Sequence, residues 1–248
     1  MMHGPLARPA SRATSVAPSG TASIRRVLIT GCGRSGTKYT SFLLRRLGLD
    51  VPHERVGRDG IASWYLAVDA ARVPFGAARG RLEFEQAFQQ VRHPLRVIAS
   101  AATFKEATWR FICEHVPVGM DEPLLLRSAR YWHYWNLEAG KIADWRYRIE
   151  DLEGAFAQLC SRLEVKADPE AVRRLSSDVN TRSSGWLFHV YEELCERLRL
   201  EPSPLIRRAL GSSTPAEHEP VSWSDLQRLD SRLAARIREQ AREYGYEP

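Results

Sequence analysis

Apolar and polar positions follow two rhythms along this chain. Arg25-Arg26-Val27-Leu28-Ile29-Thr30 is a short apolar run ending in Gly31-Cys32-Gly33, the pattern of a buried parallel strand that enters a glycine turn. From Thr37 to Leu47 the apolar residues Tyr39, Phe42, Leu43, Leu44 and Leu47 recur at helical spacing, and Gly48 suits the helix stop. Ala87–Val91 reads as a second strand. Arg92-His93-Pro94 ends it, and Pro94 opens a helix expected to run to about Lys105. A long helix is expected over Pro123–Ala139, a third strand over Trp145–Ile149, and a helix over Leu152–Leu163 capped by Asp151. Shorter helices are expected over Pro169–Ser176 and Leu187–Leu198. A final helix should start at the capping box Ser224-Asp225-Leu226-Gln227 and stop at Gly245. Strands alternating with helices imply an α/β fold class, with a central parallel sheet flanked by helices in three layers.

Composition narrows the class. The 248 residues suit one α/β domain, and no repeat period marks a solenoid. Residues 1–23 carry Pro, Ser, Ala and Gly but no acid, and read as a disordered tail ahead of a single domain at 24–248. The tail has no apolar core of a secretory signal, and no stretch approaches the ~18 apolar residues of a membrane span. Cys32, Cys113, Cys160 and Cys195 form no CxxC pair, which gives no support to a zinc site and suggests a reducing, cytoplasmic setting. Lys+Arg number 36 against 30 Asp+Glu, a net charge of +6, and only Lys38, Lys105, Lys141 and Lys166 are lysines. That Arg excess fits GC-rich coding or an anionic ligand, whose oxygens Arg grips bidentately.

The segment Gly31-Cys32-Gly33-Arg34-Ser35-Gly36-Thr37-Lys38 favours the ligand. A glycine loop between strand and helix gathers backbone N–H groups at a positive helix end, and Arg34 and Lys38 add full charges. Gly31 and Gly36 have the spacing of a nucleotide-phosphate loop, but Thr37 stands where that loop needs Lys and Lys38 where it needs Ser or Thr. Gly31, Gly33 and Gly36 also match G-x-G-x-x-G, with Asp50 about 20 residues on, although Arg34-Ser35 is unusual inside a pyrophosphate clasp.

Gly33-Arg34-Ser35-Gly36-Thr37 resembles the 5′-phosphosulfate loop of the sulfotransferases, written [KR]-S-G-T, and its Arg variant is nearest to the bacterial carbohydrate and tyrosylprotein branches. Arg92 and Ser100, eight residues apart across a Pro-containing turn, resemble that family's 3′-phosphate pair. Trp145–Leu152 resembles its downstream R-[YI]-E-D-L segment. The resemblance covers about residues 24–165. It implies a P-loop-like fold that binds 3′-phosphoadenosine-5′-phosphosulfate as co-substrate and transfers its sulfuryl group to a hydroxyl acceptor, a glycan or small molecule, without a metal. It implies Gly33, Arg34, Ser35, Gly36, Thr37 and Lys38 at the 5′ end of the donor, with Arg34 on the leaving oxygen and the role of Lys38 open. Arg92 and Ser100 would take the 3′ end.

Transfer also needs a base, which in that family is His or Glu. The polar loop Leu49–Trp64 offers Glu54 first, His53 second and Asp59 third. In an extended segment His53 and Glu54 would point to opposite sides. The aromatic group Tyr131, Trp132, Tyr134, Trp135, with Trp64 and Trp109, is either core or an acceptor wall. One alternative is a P-loop kinase or NTPase using ATP and magnesium, with Trp64–Asp69 as an apolar strand ending in the metal's Asp, although the same segment reads equally well as a helix starting after Ser63. The other is a non-catalytic protein whose Arg surface binds anions or nucleic acid.

Overall fold

The computed structural model describes residues 23–69, 82–173 and 220–247, together with Val73 and a few separate positions from 191 to 209. The tail and the helix expected at Leu187–Leu198 fall on residues that lie outside this set, the helix but for a few separate positions.

Four parallel strands form the sheet, β1 (Ser23–Gly31), β2 (Gly60–Ala62), β3 (Leu82–Val91) and β4 (Trp145–Arg148), in the order β2-β1-β3-β4. Successive residues of β1 feed opposite faces. Leu28 packs with helices α2 (Pro94–Ala101), α3 (Glu106–His115) and α4 (Leu124–Ile142), while Val27 and Ile29 pack with α1 (Thr37–Arg46), α5 (Leu152–Arg162) and α6 (Pro169–Arg173). Helices α7 (Trp223–Leu229) and α8 (Ser231–Glu243) join the α4 side through Leu226, Leu233 and Ile237. The α/β class and its three layers are therefore as expected.

Several boundaries differ from expectation, each for a local reason. α2 stops at Ala101, because the Thr103 hydroxyl bonds the Ser100 carbonyl at 2.8 Å and the Phe104 N–H turns back to Ala101. Asp151 precedes α5 but its side chain does not cap it; the carboxylate pairs with Arg148 at 3.2 Å. The last helix is two. Its capping box is Ser222 with Asp225, starting two residues earlier than expected, and Asp230 breaks the run by accepting the N–H groups of Arg232 and Leu233 at 3.1 and 3.0 Å. Trp64–Asp69 is no strand but a single 3₁₀ turn at Tyr65–Ala67. β2 and α3 had no counterpart in the sequence reading. After α8, Gly245 takes φ 79° and the chain folds back onto the sheet edge: Arg148 donates to the Gly245 carbonyl, and the Tyr246 hydroxyl donates to Glu150 at 2.8 Å. Among the described residues no helix is long and apolar enough to cross a membrane.

Candidate active site

The site begins where β1 ends. Gly31 has φ 145°, and a Cβ there would stand 2.1 Å from the Gln90 carbonyl oxygen of β3, so only glycine lets the neighbouring strand approach. The loop then doubles back, the Ser35 N–H donating to the Cys32 carbonyl at 3.1 Å. Arg34 at its tip adopts a left-handed φ of 76°, and Gly36 enters α1 at φ 91°. Such a backbone at Arg34 costs ~1–3 kcal/mol and persists only where the surroundings hold it.

Here they hold it from three sides. The Gly33 N–H donates to the Tyr131 hydroxyl of α4 at 2.7 Å. Arg92, at the end of β3, donates from Nη1 to the Arg34 carbonyl at 3.1 Å. Gln90 donates from Nε2 to the Ser35 carbonyl at 2.5 Å. The Arg34 guanidinium lies 4.7 Å over the Phe104 ring and donates to the Thr103 hydroxyl at 3.3 Å, so the early end of α2 carries out a task at the loop. Nothing acidic sits in the first turn of α1. The helix N-terminus and the two cations therefore leave a field that suits an anion. The Ser35 hydroxyl is buried in this loop without a hydrogen-bond partner among the described residues, an orphan that a phosphate oxygen would satisfy.

His53 and Glu54 stand beside the loop. The segment that carries them runs along β2, with His53 bridged to Ala62 and the Glu54 N–H bonded to the Ala62 carbonyl at 3.0 Å. The two side chains do not diverge as an extended chain would make them: Glu54 has φ 53°, and its Oε1 lies 3.6 Å from His53 Nε2. His53 Nε2 also lies 3.3 Å from the Thr37 hydroxyl, and Glu54 Oε2 accepts from Ser63 at 2.6 Å. Each side chain keeps about a quarter of its surface open, 25% and 23%, but Glu54 Oε1 is shut off from solvent. Burial pushes the Glu54 carboxyl up to about 8, against the pull of Ser63 and the Trp64 backbone. Burial, then the charge of Lys38, pushes the His53 imidazole down to about 3, which places Lys38 within electrostatic reach of the pair. At neutral pH burial thus favours the uncharged form of both groups, a neutral imidazole beside a protonated carboxyl. Asp59 does other work, bonding Arg58 and the Asp50 N–H at 2.9 and 2.6 Å.

Arg92 is half-buried, and desolvation lowers its pKa from the ordinary guanidinium value while Glu150 opposes the shift. Ser100 lies on the last turn of α2, about two turns from Arg92, and the two share no described hydrogen bond. His93 serves the turn: its N–H donates to Glu150 at 3.0 Å. Next to the Arg92 turn, His93, Arg96, Arg148, Glu150, Asp151 and Tyr246 line a shallow cleft of mixed charge, two arginines facing two carboxylates. The aromatic group is core, since Tyr131, Trp132 and Trp135 are wholly buried, with Trp64 and Trp109 nearly so and Tyr134 half-buried. Tyr131 and Gln90 act at the loop, and sequence reasoning passed over both roles. The available signal was two glutamines, Gln89 and Gln90, inside the otherwise apolar stretch Ala87–Val91.

No protein-family model matches this chain, and no curated protein matches it. Among solved structures it is similar to a sulfotransferase domain from the curacin biosynthetic pathway, with 13% identity over 92% of this chain and 99% of that chain and a TM-score of 0.41. At that degree of likeness the functional reading comes from the loop and its surroundings.

Proposed function

We propose that the protein is a sulfotransferase that moves a sulfuryl group from 3′-phosphoadenosine-5′-phosphosulfate to a hydroxyl-bearing acceptor, a glycan or small metabolite. One observation carries this reading: a braced glycine loop at a helix N-terminus presents Arg34 at its tip, while the position of a nucleotide-phosphate lysine holds Thr37, buried and bonded to His53. The 3₁₀ turn at Tyr65–Ala67 also takes away the strand-borne Asp on which the ATP and magnesium alternative relied.

When bound, the donor supplies an activated sulfuryl group and a bisphosphate leaving group. Ser35, Gly36 and Thr37 bind its 5′-phosphate while the Gly33 N–H stays on Tyr131 and shapes the loop, and the buried Ser35 hydroxyl gains the partner it lacks. Arg34 and Lys38 meet the charge that grows on the bridging oxygen as the sulfur–oxygen bond breaks. Glu54, raised to about 8 and so a stronger base once its own proton has left, or the uncharged but weakly basic His53, takes the proton as the acceptor oxygen bonds to sulfur. Arg92 and Ser100 hold the 3′-phosphate. Arg92 also steadies the Arg34 carbonyl, so Arg92→Ala should weaken donor binding about 10- to 100-fold, as expected for a lost charge-assisted contact. The four free thiols suit a reducing cytoplasm.

Calorimetric titration with adenosine 3′,5′-bisphosphate, with ATP for comparison and without magnesium, tests the proposal. Micromolar binding of the bisphosphate and little of ATP is expected. Preference for ATP with magnesium, or binding of neither nucleotide, overturns it.

A further inference from the structure

Gln90 lies in β3 and is fully buried on the α1 side of the sheet, where the donor reading gives it no role. Its Oε1 accepts from the Thr40 hydroxyl at 2.6 Å and from the Tyr147 hydroxyl at 2.8 Å. Its Nε2 donates to the Ser35 carbonyl at 2.5 Å. This orientation is forced. A backbone carbonyl only accepts, so the amide nitrogen must face Ser35, and the oxygen is left for the two hydroxyls. One side chain thereby ties α1, β4 and the loop to the middle of the sheet.

The peptide group turns this into an effect on the site. In a planar trans peptide the C=O and the following N–H point in opposite directions. Drawing the Ser35 carbonyl back toward Gln90 therefore aims the Gly36 N–H out of the core, at the start of α1. If the Ser35–Gly36 peptide rotated, a carbonyl oxygen would face the anion instead. Glycine at position 36 lets that rotation happen: with φ 91° and no Cβ, Gly36 resists neither arrangement. Choosing between them is left to Gln90. A Cβ at Gly36 would stand 3.2 Å from Gln90 Nε2, so the clamp and the glycine are fitted to each other.

We infer that Gln90 is a positioning residue for the donor's 5′-phosphate, holding the Ser35–Gly36 peptide with its N–H toward the ligand. The inference rests on the sulfotransferase reading for the identity of the donor, but not for the existence of the anion site.

The test uses the full-length protein and three ligands: adenosine 3′,5′-bisphosphate, adenosine 3′-monophosphate and inorganic pyrophosphate. Gln90→Met keeps the shape and removes the donor. It should weaken the bisphosphate about 10- to 100-fold while the 3′-monophosphate, which lacks the 5′ group, stays within about twofold. Gln90→Glu keeps both acceptors for Thr40 and Tyr147 but donates to Ser35 only when protonated. Its bisphosphate affinity, divided by that of wild type at each pH, should recover as pH falls, and it carries the test should Gln90→Met fail to fold. Tyr147→Phe removes one hydroxyl from Oε1 and leaves the clamp, and it should bind within about threefold of wild type. Equal losses for bisphosphate and monophosphate, no loss at all, or a Gln90→Glu ratio flat with pH overturns the inference. Should wild type bind pyrophosphate but not the bisphosphate, the donor reading fails separately. Gln90 is then judged on pyrophosphate, a tenfold loss in Gln90→Met supporting it and an unchanged affinity overturning it.

Discussion

Two of the three braces of the glycine loop, Tyr131 and Gln90, and the Thr40 that supports Gln90, are uncharged and wholly buried, while the third brace is the half-buried guanidinium of Arg92. The groups beside it at His53 and Glu54 are titratable and about a quarter open. Both regions touch the same helix start, since Thr40 reaches Gln90 and Thr37 reaches His53. The difference assigns them different tasks. Neutral buried hydrogen bonds fix a geometry that pH does not move, while a recessed acid–imidazole pair sets a proton inventory that pH does move. On the proposed reading, binding and proton handling are thus separated within a few ångströms.

Four experiments can break or sharpen this contrast. The largest effect is expected from Arg34→Ala, which should cut sulfuryl transfer about 10²- to 10³-fold, the loss typical of a removed transition-state contact. The shape of the pH–rate profile should stay unchanged, and a profile that moves would show that the loop and the pair are not separate. Next comes Gly31→Ala. A Cβ 2.1 Å from the Gln90 carbonyl oxygen should cost ~3 kcal/mol, read by denaturant unfolding and equal at pH 6 and pH 8.

Glu54→Gln should alter pH dependence instead. The ordinary carboxyl near 4.5 loses its proton in the unfolded chain, whereas folding raises the group to about 8. Stability is then fully present below 4.5 and falls as pH rises toward 8, and Glu54→Gln should abolish that fall, on the order of 1–3 kcal/mol after discounting for the open quarter of the side chain. His53 has the opposite sign, since its folded value near 3 lies below the ordinary 6.5 and stability is lost as pH falls through that window. The two windows overlap with opposite sign between 4.5 and 6.5, so melting curves of wild type and Glu54→Gln from pH 3 to 9 separate them, Glu54 acting alone above 6.5 and His53 alone below 4.5. The smallest effect belongs to Ser35→Ala. Removing an orphaned hydroxyl should shift stability by no more than about 0.5 kcal/mol, yet lower bisphosphate affinity about fivefold in calorimetry.

The two regions were also unequally legible in the sequence. The strand–loop–helix unit of β1 and α1 is dictated locally: an apolar run, glycines at the turn and a helical repeat closed by Gly48 with φ 86°. Pro94 marked the start of α2 for the same reason. The braces were hidden because each joins residues far apart in sequence, 98 positions for Tyr131 with Gly33 and 55 for Gln90 with Ser35. The pairing of His53 with Glu54 was misjudged because β2 is only three residues long, too short to show a period. β2 exists through its register with β1, and the His53–Glu54 segment is tied to it by a bridge at Ala62, with a left-handed φ at Glu54 that no local signal marks. Likewise, a tyrosine at helical spacing among tryptophans reads as core, which Tyr131 is; only the fold shows that its hydroxyl ends at the loop.

The contact between Tyr246 and Glu150 also bears on the order of synthesis. A chain emerges from its N-terminus and begins folding on the way. Glu150 accepts the His93 N–H at the turn after Arg92, but its second oxygen waits for a hydroxyl made 96 residues later, and Arg148 waits 97 for the Gly245 carbonyl. The glycine loop has all its braces once α4 and β3 have left the ribosome. The Arg92 turn does not. Under the sulfotransferase reading, a nascent chain paused between these two moments would hold a braced seat for the donor's 5′ end before the turn proposed for its 3′ end had gained the Tyr246 and Gly245 contacts.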